Sequence, residues 1–235
     1  MKGTRKYDYL IFDADHTVID FDEDERRAFR AAFRAAGKGE DEAAVQACWE
    51  HSARNWHDLG LNDVHRSDVQ SAYHDMYYRH VRTLFDWADA VYGFGGFRTQ
   101  AQQAFEETLA CPAHFIQNAD MVLADLAQEY RICIATNGLS QMQRGRLQAL
   151  MPVLYRLYIS EEMRCIKPNA AFFRAILQDL GVAADRCLMV GDSLSSDIAG
   201  ASAVGMPCVW FCRSAADAPA SVPKIADLRE LERFL

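Results

Sequence analysis

Hydrophobic positions along the chain follow two rhythms. Four short runs are apolar at nearly every position and stop at polar residues: Tyr7–Asp13, Tyr130–Thr136, Cys187–Asp192 and Pro207–Cys212. Leu157–Ser160 is a weaker fifth. Runs of this length that do not alternate read as strands buried on both faces. Between the later runs, Ala119–Gln128, Leu139–Leu150, Asn169–Leu180 and Ser195–Val204 repeat their apolar residues at helical spacing, and Gly181 and Gly205 stop the last two. Strands alternating with amphipathic helices predict an α/β arrangement, a parallel sheet covered by helices on both faces.

The stretch from about Asp22 to Cys111 breaks that alternation and is helical in period throughout. Phe29, Ala32, Phe33 and Ala36 form one apolar face before Gly37, and Val45, Cys48, Trp49, Ser52 and Trp56 a second before Gly60. The third face is the longest, from Val69 through Tyr73, Tyr77, His80, Leu84 and Phe85 to Ala88, closing near Gly93. A weaker fourth helix covers Thr99–Leu109. The pattern predicts a helical insert at 21–111 within an α/β core made of 1–20 and 112–235.

Composition narrows the functions available. With 235 residues, half of them hydrophobic, the chain can build a core that needs neither disulfides nor structural metal. A net charge of -8 argues against a nucleic-acid polymer as partner, though local cations can still hold a small phosphorylated metabolite. Seven scattered cysteines without a CxxC point to a reducing cytoplasm rather than to thiolate zinc. No run is long enough for a signal peptide or a membrane span, and the pattern leaves the oligomeric state open.

Ligands of an open parallel sheet bind at the carboxyl ends of its strands. There the chain carries Asp13-Ala14-Asp15-His16-Thr17, then Thr136-Asn137-Gly138, then Gly191-Asp192-Ser193 with Asp197 in the following helix. Lys167, in Ile166-Lys167-Pro168, precedes the helix that leads to the last of these. Acidic, hydroxyl and cationic groups thus stand where strands give out, and they can converge on one crevice.

DADHT, ATNG, the isolated KP and GDSLSSD occur in the order of the four motifs of the haloacid dehalogenase superfamily, which the sequence resembles over everything outside the insert. The resemblance implies a three-layer Rossmann-like core, with the insert as the helical cap of the dehalogenase and nucleotidase branch. Within it, FDADHT, TNG and ISEE…KP are most similar to bacterial pyrimidine 5'-nucleotidases, which dephosphorylate nucleoside monophosphates.

What the resemblance implies chemically is a phosphatase in which Asp13 is the nucleophile and forms an aspartyl-phosphate. A carboxylate meeting a phosphate is repelled by roughly 4 kcal/mol per charge pair at an effective dielectric near 20. Mg²⁺ held by Asp13, the Asp15 carbonyl and Asp192 would relieve this on one side, and Lys167 on the other. Thr136, the Asn137 N–H and Lys167 would bind phosphate oxygens, Asp15 would be the general acid and base, and Asp197 would orient the metal shell or Lys167. An acid at position 15 favours phosphatase over dehalogenase, since a halide leaves without a proton. A sugar-phosphate phosphatase, a phosphomutase and a non-catalytic phospho-accepting or phosphate-binding protein remain as alternatives.

Several residues carry a plainer reading. Asp197 alone could be a helix N-terminal acid, and Lys167 alone a solvated loop residue. His16 departs from the family motif and reads as a half-exposed bystander. Phe94 and Phe97, in a glycine-rich connector, read as packing residues before base-stacking ones.

Overall fold

Among the described residues six strands, all paired in parallel, build one sheet: β1 (Tyr9–Phe12), β2 (Arg131–Thr136), β3 (Leu154–Ile159), β4 (Cys187–Gly191), β5 (Cys208–Phe211) and β6 (Lys224–Ile225). The helices are α1 (Phe21–Ala35), α2 (Glu42–Asp58), α3 (Ser67–Tyr92), α4 (Arg98–Leu109), α5 (Ala119–Leu126), α6 (Ser140–Arg146), α7 (Ser160–Met163), α8 (Ala170–Leu180) and α9 (Ala199–Ala203). This computed structural model describes residues 5–39, 41–215, 219 and 221–235. Contacts divide the chain into two units. The first runs to Asp20 and takes in Phe115–Ser140 and Ala149–Leu235; the second is Phe21–His114 with Gln141–Gln148. Residues 141–148, assigned to the α/β core by the sequence pattern, thus group with the helical unit.

In the first unit the strand order is β3-β2-β1-β4-β5-β6. Alternate residues of the central strands (Tyr9 and Ile11, Cys133 and Ala135, Cys187 and Met189) pack with Phe172, Phe173 and Ile176 of α8. Their neighbours Leu10, Phe12, Ile132, Ile134, Leu188 and Val190 are equally buried. Burial on both faces is why these strands read as unbroken apolar runs. The outer strands hid better. β3 begins at Leu154, earlier than the apolar run, because the exposed Tyr155 and Arg156 break the pattern without breaking the strand, and Ser160 belongs to α7. β6, two residues long, has no pattern to read.

Two helices are less regular than their periodicity suggested. α6 ends at Arg146 and gives way to a 3₁₀ turn at Gln148–Leu150. The helix expected over Ser195–Val204 opens as a π-helical turn, Leu194–Ile198, before α9. α9 packs tightly on α8: a Cβ at Gly200 would lie 2.2 Å from the Phe173 ring.

The second unit packs Phe29, Phe85 and Phe105 with ring centroids 4.8 to 6.5 Å apart, around which α1, α3 and α4 meet. Buried Phe94 meets Phe33 edge-on at 5.3 Å, so it is a core residue, whereas Phe97 is 55% exposed. Gly93, at φ 66°, ends α3 in the left-handed conformation that glycine adopts without steric cost. Fully buried Asp24 pairs with fully buried Arg146 at 3.1 Å and accepts from the His114 N–H at 3.1 Å, tying α1, α6 and the chain after α4 together.

A second buried polar chain crosses α1, α2 and α3. The Ser52 hydroxyl donates to Glu25 at 2.6 Å and lies 3.2 Å from His80 Nε2, while Asn55 lies 3.0 Å from His80 Nδ1. Burial pushes the Glu25 carboxyl up to about 7 and the His80 imidazole down to about 4, favouring the neutral form of each. The folded unit keeps the Glu25 proton to higher pH than the unfolded chain does. Its contribution is therefore largest in acid and declines as pH rises from about 4.5 through 7. Glu25→Gln keeps the oxygen that Ser52 needs and cannot ionise. In urea unfolding it should gain about 2–3 kcal/mol on the wild type between about pH 5 and pH 8. A constant difference across that range would contradict the assignment.

Candidate active site

The chain builds the sheet outward from β1, first to β2 and β3, then across to β4, β5 and β6, so the strand order reverses between β1 and β4. At such a switch point the connections leave in opposite directions and open a crevice at the carboxyl ends. Asp13 directly follows β1, its N–H donating to Val190 O at 2.8 Å, and Asp192 directly follows β4. Lys167 arrives from the segment before α8. Its Nζ lies 2.6 Å from Asp13 Oδ1 and 2.7 Å from Asp197 Oδ1, and it donates to Ala135 O at 2.7 Å.

Asp197 reaches this point through local geometry. Ser193 caps the π-helical turn, its hydroxyl accepting from Ser196 N–H at 3.1 Å. Such a turn adds a residue to the helical ring and is frequent at functional sites. Asp197 is thereby carried inward, where its second oxygen accepts the Ser193 N–H at 3.0 Å. The absence of a side chain at Gly191 makes the room, since a Cβ there would lie 2.3 Å from Asp197 Oδ2. Of the two sequence readings of Asp197, the plain helix acid does not describe a fully buried carboxylate paired with Lys167.

Thr136 is buried at the end of β2, and Asn137 follows it. The Asn137 side chain clamps the Lys167 main chain both ways, donating to its O at 2.9 Å and accepting from its N at 2.8 Å. That amide is thus engaged with the backbone. The Lys167–Pro168 peptide is cis.

Charge is out of balance here. One carboxylate oxygen from each of Asp13, Asp192 and Asp197 lies within 4.8 Å of the others, and the Lys167 ammonium pairs with two of the three. Burial and then the Asp197 charge raise the Asp13 carboxyl well above its ordinary range, with Lys167 pulling the other way. The same two causes, in the same order, push Asp192 up to about 7. For Lys167 burial works against the charge, but Asp13 and Asp197 outweigh it and hold the ammonium above its ordinary range. Carboxylates that cannot all ionise beside one cation, with no nitrogen or sulfur donor among them, suit a hard divalent ion such as Mg²⁺.

Asp15 lies outside that carboxylate group, although its charge acts on Asp192. Strand alternation does not carry it, because β1 stops at Phe12. Instead Ala14 O accepts from Val18 and Ile19 N–H at 2.9 and 3.0 Å and rolls residues 14–19 into a turn. His16 occupies the left-handed region at φ 61°, which His tolerates better than most side chains, and is half-buried. Residues that the pattern did not single out are Ser160 and Glu161, whose oxygens meet the main chain of Gly138 and Ser140. The ISEE segment was visible, but nothing local marked its target.

The haloacid dehalogenase-like hydrolase family model matches residues 7–205. Pyrimidine 5'-nucleotidase PynA of Streptococcus pneumoniae is 29% identical over 209 residues, 87% of this chain and 84% of that protein. Pyrimidine 5'-nucleotidase YjjG of Escherichia coli is 28% identical over 238 residues, 98% of each chain. Among solved structures, the magnesium-bound HAD-hydrolase YfnB of Bacillus subtilis superposes with a TM-score of 0.78 over 98% of this chain and 99% of that one, at 23% identity. The match runs from the strand that presents Asp13 through the turn that presents Asp197, and the chain belongs to the haloacid dehalogenase-like hydrolase family.

Proposed function

We propose that the protein is a magnesium-dependent phosphatase that hydrolyses a nucleoside 5'-monophosphate, with pyrimidine nucleotides favoured, through a phosphoryl group carried on Asp13. The observation that carries this reading is the placement of Lys167 between Asp13 and Asp197 at the switch point, with Asp192 alongside. The nucleotide assignment is supported by PynA and YjjG, both pyrimidine 5'-nucleotidases that align over more than four fifths of their length.

Asp13 attacks phosphorus and the bond to the substrate oxygen breaks. Asp15 gives that oxygen its proton, then takes one from the water that cleaves the acyl phosphate, restoring Asp13 and releasing inorganic phosphate. Lys167 holds Asp13 in place from one carboxylate oxygen and neutralises part of the incoming charge, while Asp197 keeps the ammonium from swinging away. Thr136 and the Asn137 N–H receive non-bridging phosphate oxygens. Asp13, the Asp15 carbonyl and Asp192 would hold Mg²⁺, which supplies the positive charge that lets anion approach anion. Choice of substrate is assigned to the helical unit as a cap, and the seven free cysteines support a reducing, cytoplasmic setting.

A phosphate-release screen over nucleoside monophosphates and sugar phosphates with Mg²⁺ tests the reading. Pyrimidine 5'-monophosphates should turn over fastest; activity confined to sugar phosphates would reject the nucleotidase assignment and leave the phosphatase. Asp13→Asn should abolish turnover while circular dichroism stays native, and unchanged turnover would remove Asp13 as nucleophile. Asp15→Asn should slow hydrolysis by roughly 10²–10⁴-fold. Chelation by EDTA should silence the wild type, and added Mg²⁺ should restore it. Gly191→Ala, which pushes a Cβ into the Asp197 carboxylate, should cost about 1–3 kcal/mol in denaturant unfolding and lower kcat.

A further inference from the structure

The β2–β3 pairing closes at Thr136 opposite Ile159, and the turn beyond it, Thr136–Ser140, has no strand left to lie against. Side chains from the next residues of the neighbouring strand take over. Ser160, wholly buried, accepts from Gly138 N–H at 3.0 Å and donates back to Gly138 O at 3.3 Å. One hydroxyl thus satisfies both main-chain groups of a glycine, the residue whose backbone is least restrained by its own structure. Half-buried Glu161 accepts from Ser140 N–H at 2.7 Å, and Asn137 is already clamped to the Lys167 main chain. Positions 138 and 140 are therefore pinned by side chains from beyond β2, and 137 by its own side chain on the Lys167 main chain.

We infer that Ser160 and Glu161 are positioning residues that fix the Thr136–Ser140 turn, so that the Thr136 hydroxyl and the Asn137 N–H are already aimed when phosphoryl oxygens arrive. The inference rests on the phosphatase reading. Backbone donors stabilise developing charge only when they are aimed before the anion arrives, and a misplacement near 1 Å at a reacting centre can cost about a hundredfold in rate. Neither residue touches substrate in this role. The two act through the turn.

Glu161 separates positioning from simple electrostatics. Removing a carboxylate near an anion site would by charge alone strengthen anion binding, whereas loosening the turn weakens it. Inorganic phosphate is the probe, read as a competitive inhibition constant with KM and kcat and as a dissociation constant by calorimetry. Ser160→Ala and Glu161→Ala should each weaken phosphate about tenfold or more and lower kcat/KM. Glu161→Gln, which keeps an oxygen for the Ser140 N–H, should stay within about threefold of wild type. Ser52→Ala in the second unit also removes a buried hydroxyl bond and should leave phosphate inhibition unchanged, marking what general destabilisation does.

The inference is overturned if folded Ser160→Ala binds phosphate like the wild type, if Glu161→Ala binds it more tightly, or if Ser52→Ala loses as much affinity. Should Ser160→Ala fail to fold, the Glu161→Ala and Glu161→Gln pair decides alone. A wild type that neither releases nor binds phosphate sinks the functional reading, while an active wild type with unaffected variants sinks only this inference.

Discussion

Lys167 is buried with its ammonium 2.6 Å from Asp13 and 2.7 Å from Asp197, and most of the first unit can be understood as what keeps it there. An ammonium withdrawn from water is strongly disfavoured unless opposite charges and hydrogen bonds replace the lost solvation. Here two carboxylates and the Ala135 carbonyl do so. Each comes from a different part of the chain: Asp13 after β1, Ala135 within β2, Asp197 after β4. Parallel pairing of β1 with both β2 and β4 brings their carboxyl ends level, so the charge cluster depends on the sheet.

The cluster is also rich in carboxylates. Three carboxylates meet around the Lys167 ammonium, and burial first, then the Asp197 charge, raises the Asp13 and Asp192 carboxyls. Oxygen donors gathered in this way suit a hard divalent cation. The demand on local geometry is strict. A π-helical turn, a glycine without room for a Cβ, and a serine cap are all spent on delivering Asp197.

The helical unit follows a different logic. Its core is aromatic and its polar groups are buried as networks, Asp24 with Arg146 and His114, and Glu25 with Ser52 and His80. Removing one member of such a network leaves a buried partner without compensation, so these chains fix which helices lie together more than they add net stability.

The amino-acid order by itself determined the elements and the chemistry they end on. Apolar runs and helical spacing are local properties, and they located β1, β2, β4 and β5, the four long helices of the second unit, and the polar residues at the strand ends. Asp13, Thr136 and Asp192 were legible for that reason, whereas Lys167, in the segment before α8, stood out only through its place in the order of the four motifs. Tertiary structure decided what depends on residues far apart in the chain: that β1 lies between β2 and β4, that Arg146 meets Asp24 122 positions away, and that Ser160 reaches Gly138. It also decided that Asp197 faces Lys167 rather than solvent, because the direction of a side chain in a turn follows from packing behind it. Exposed Tyr155 and Arg156 hid the start of β3 in the same way, since an outer strand is held by its neighbour's backbone and needs no apolar run of its own.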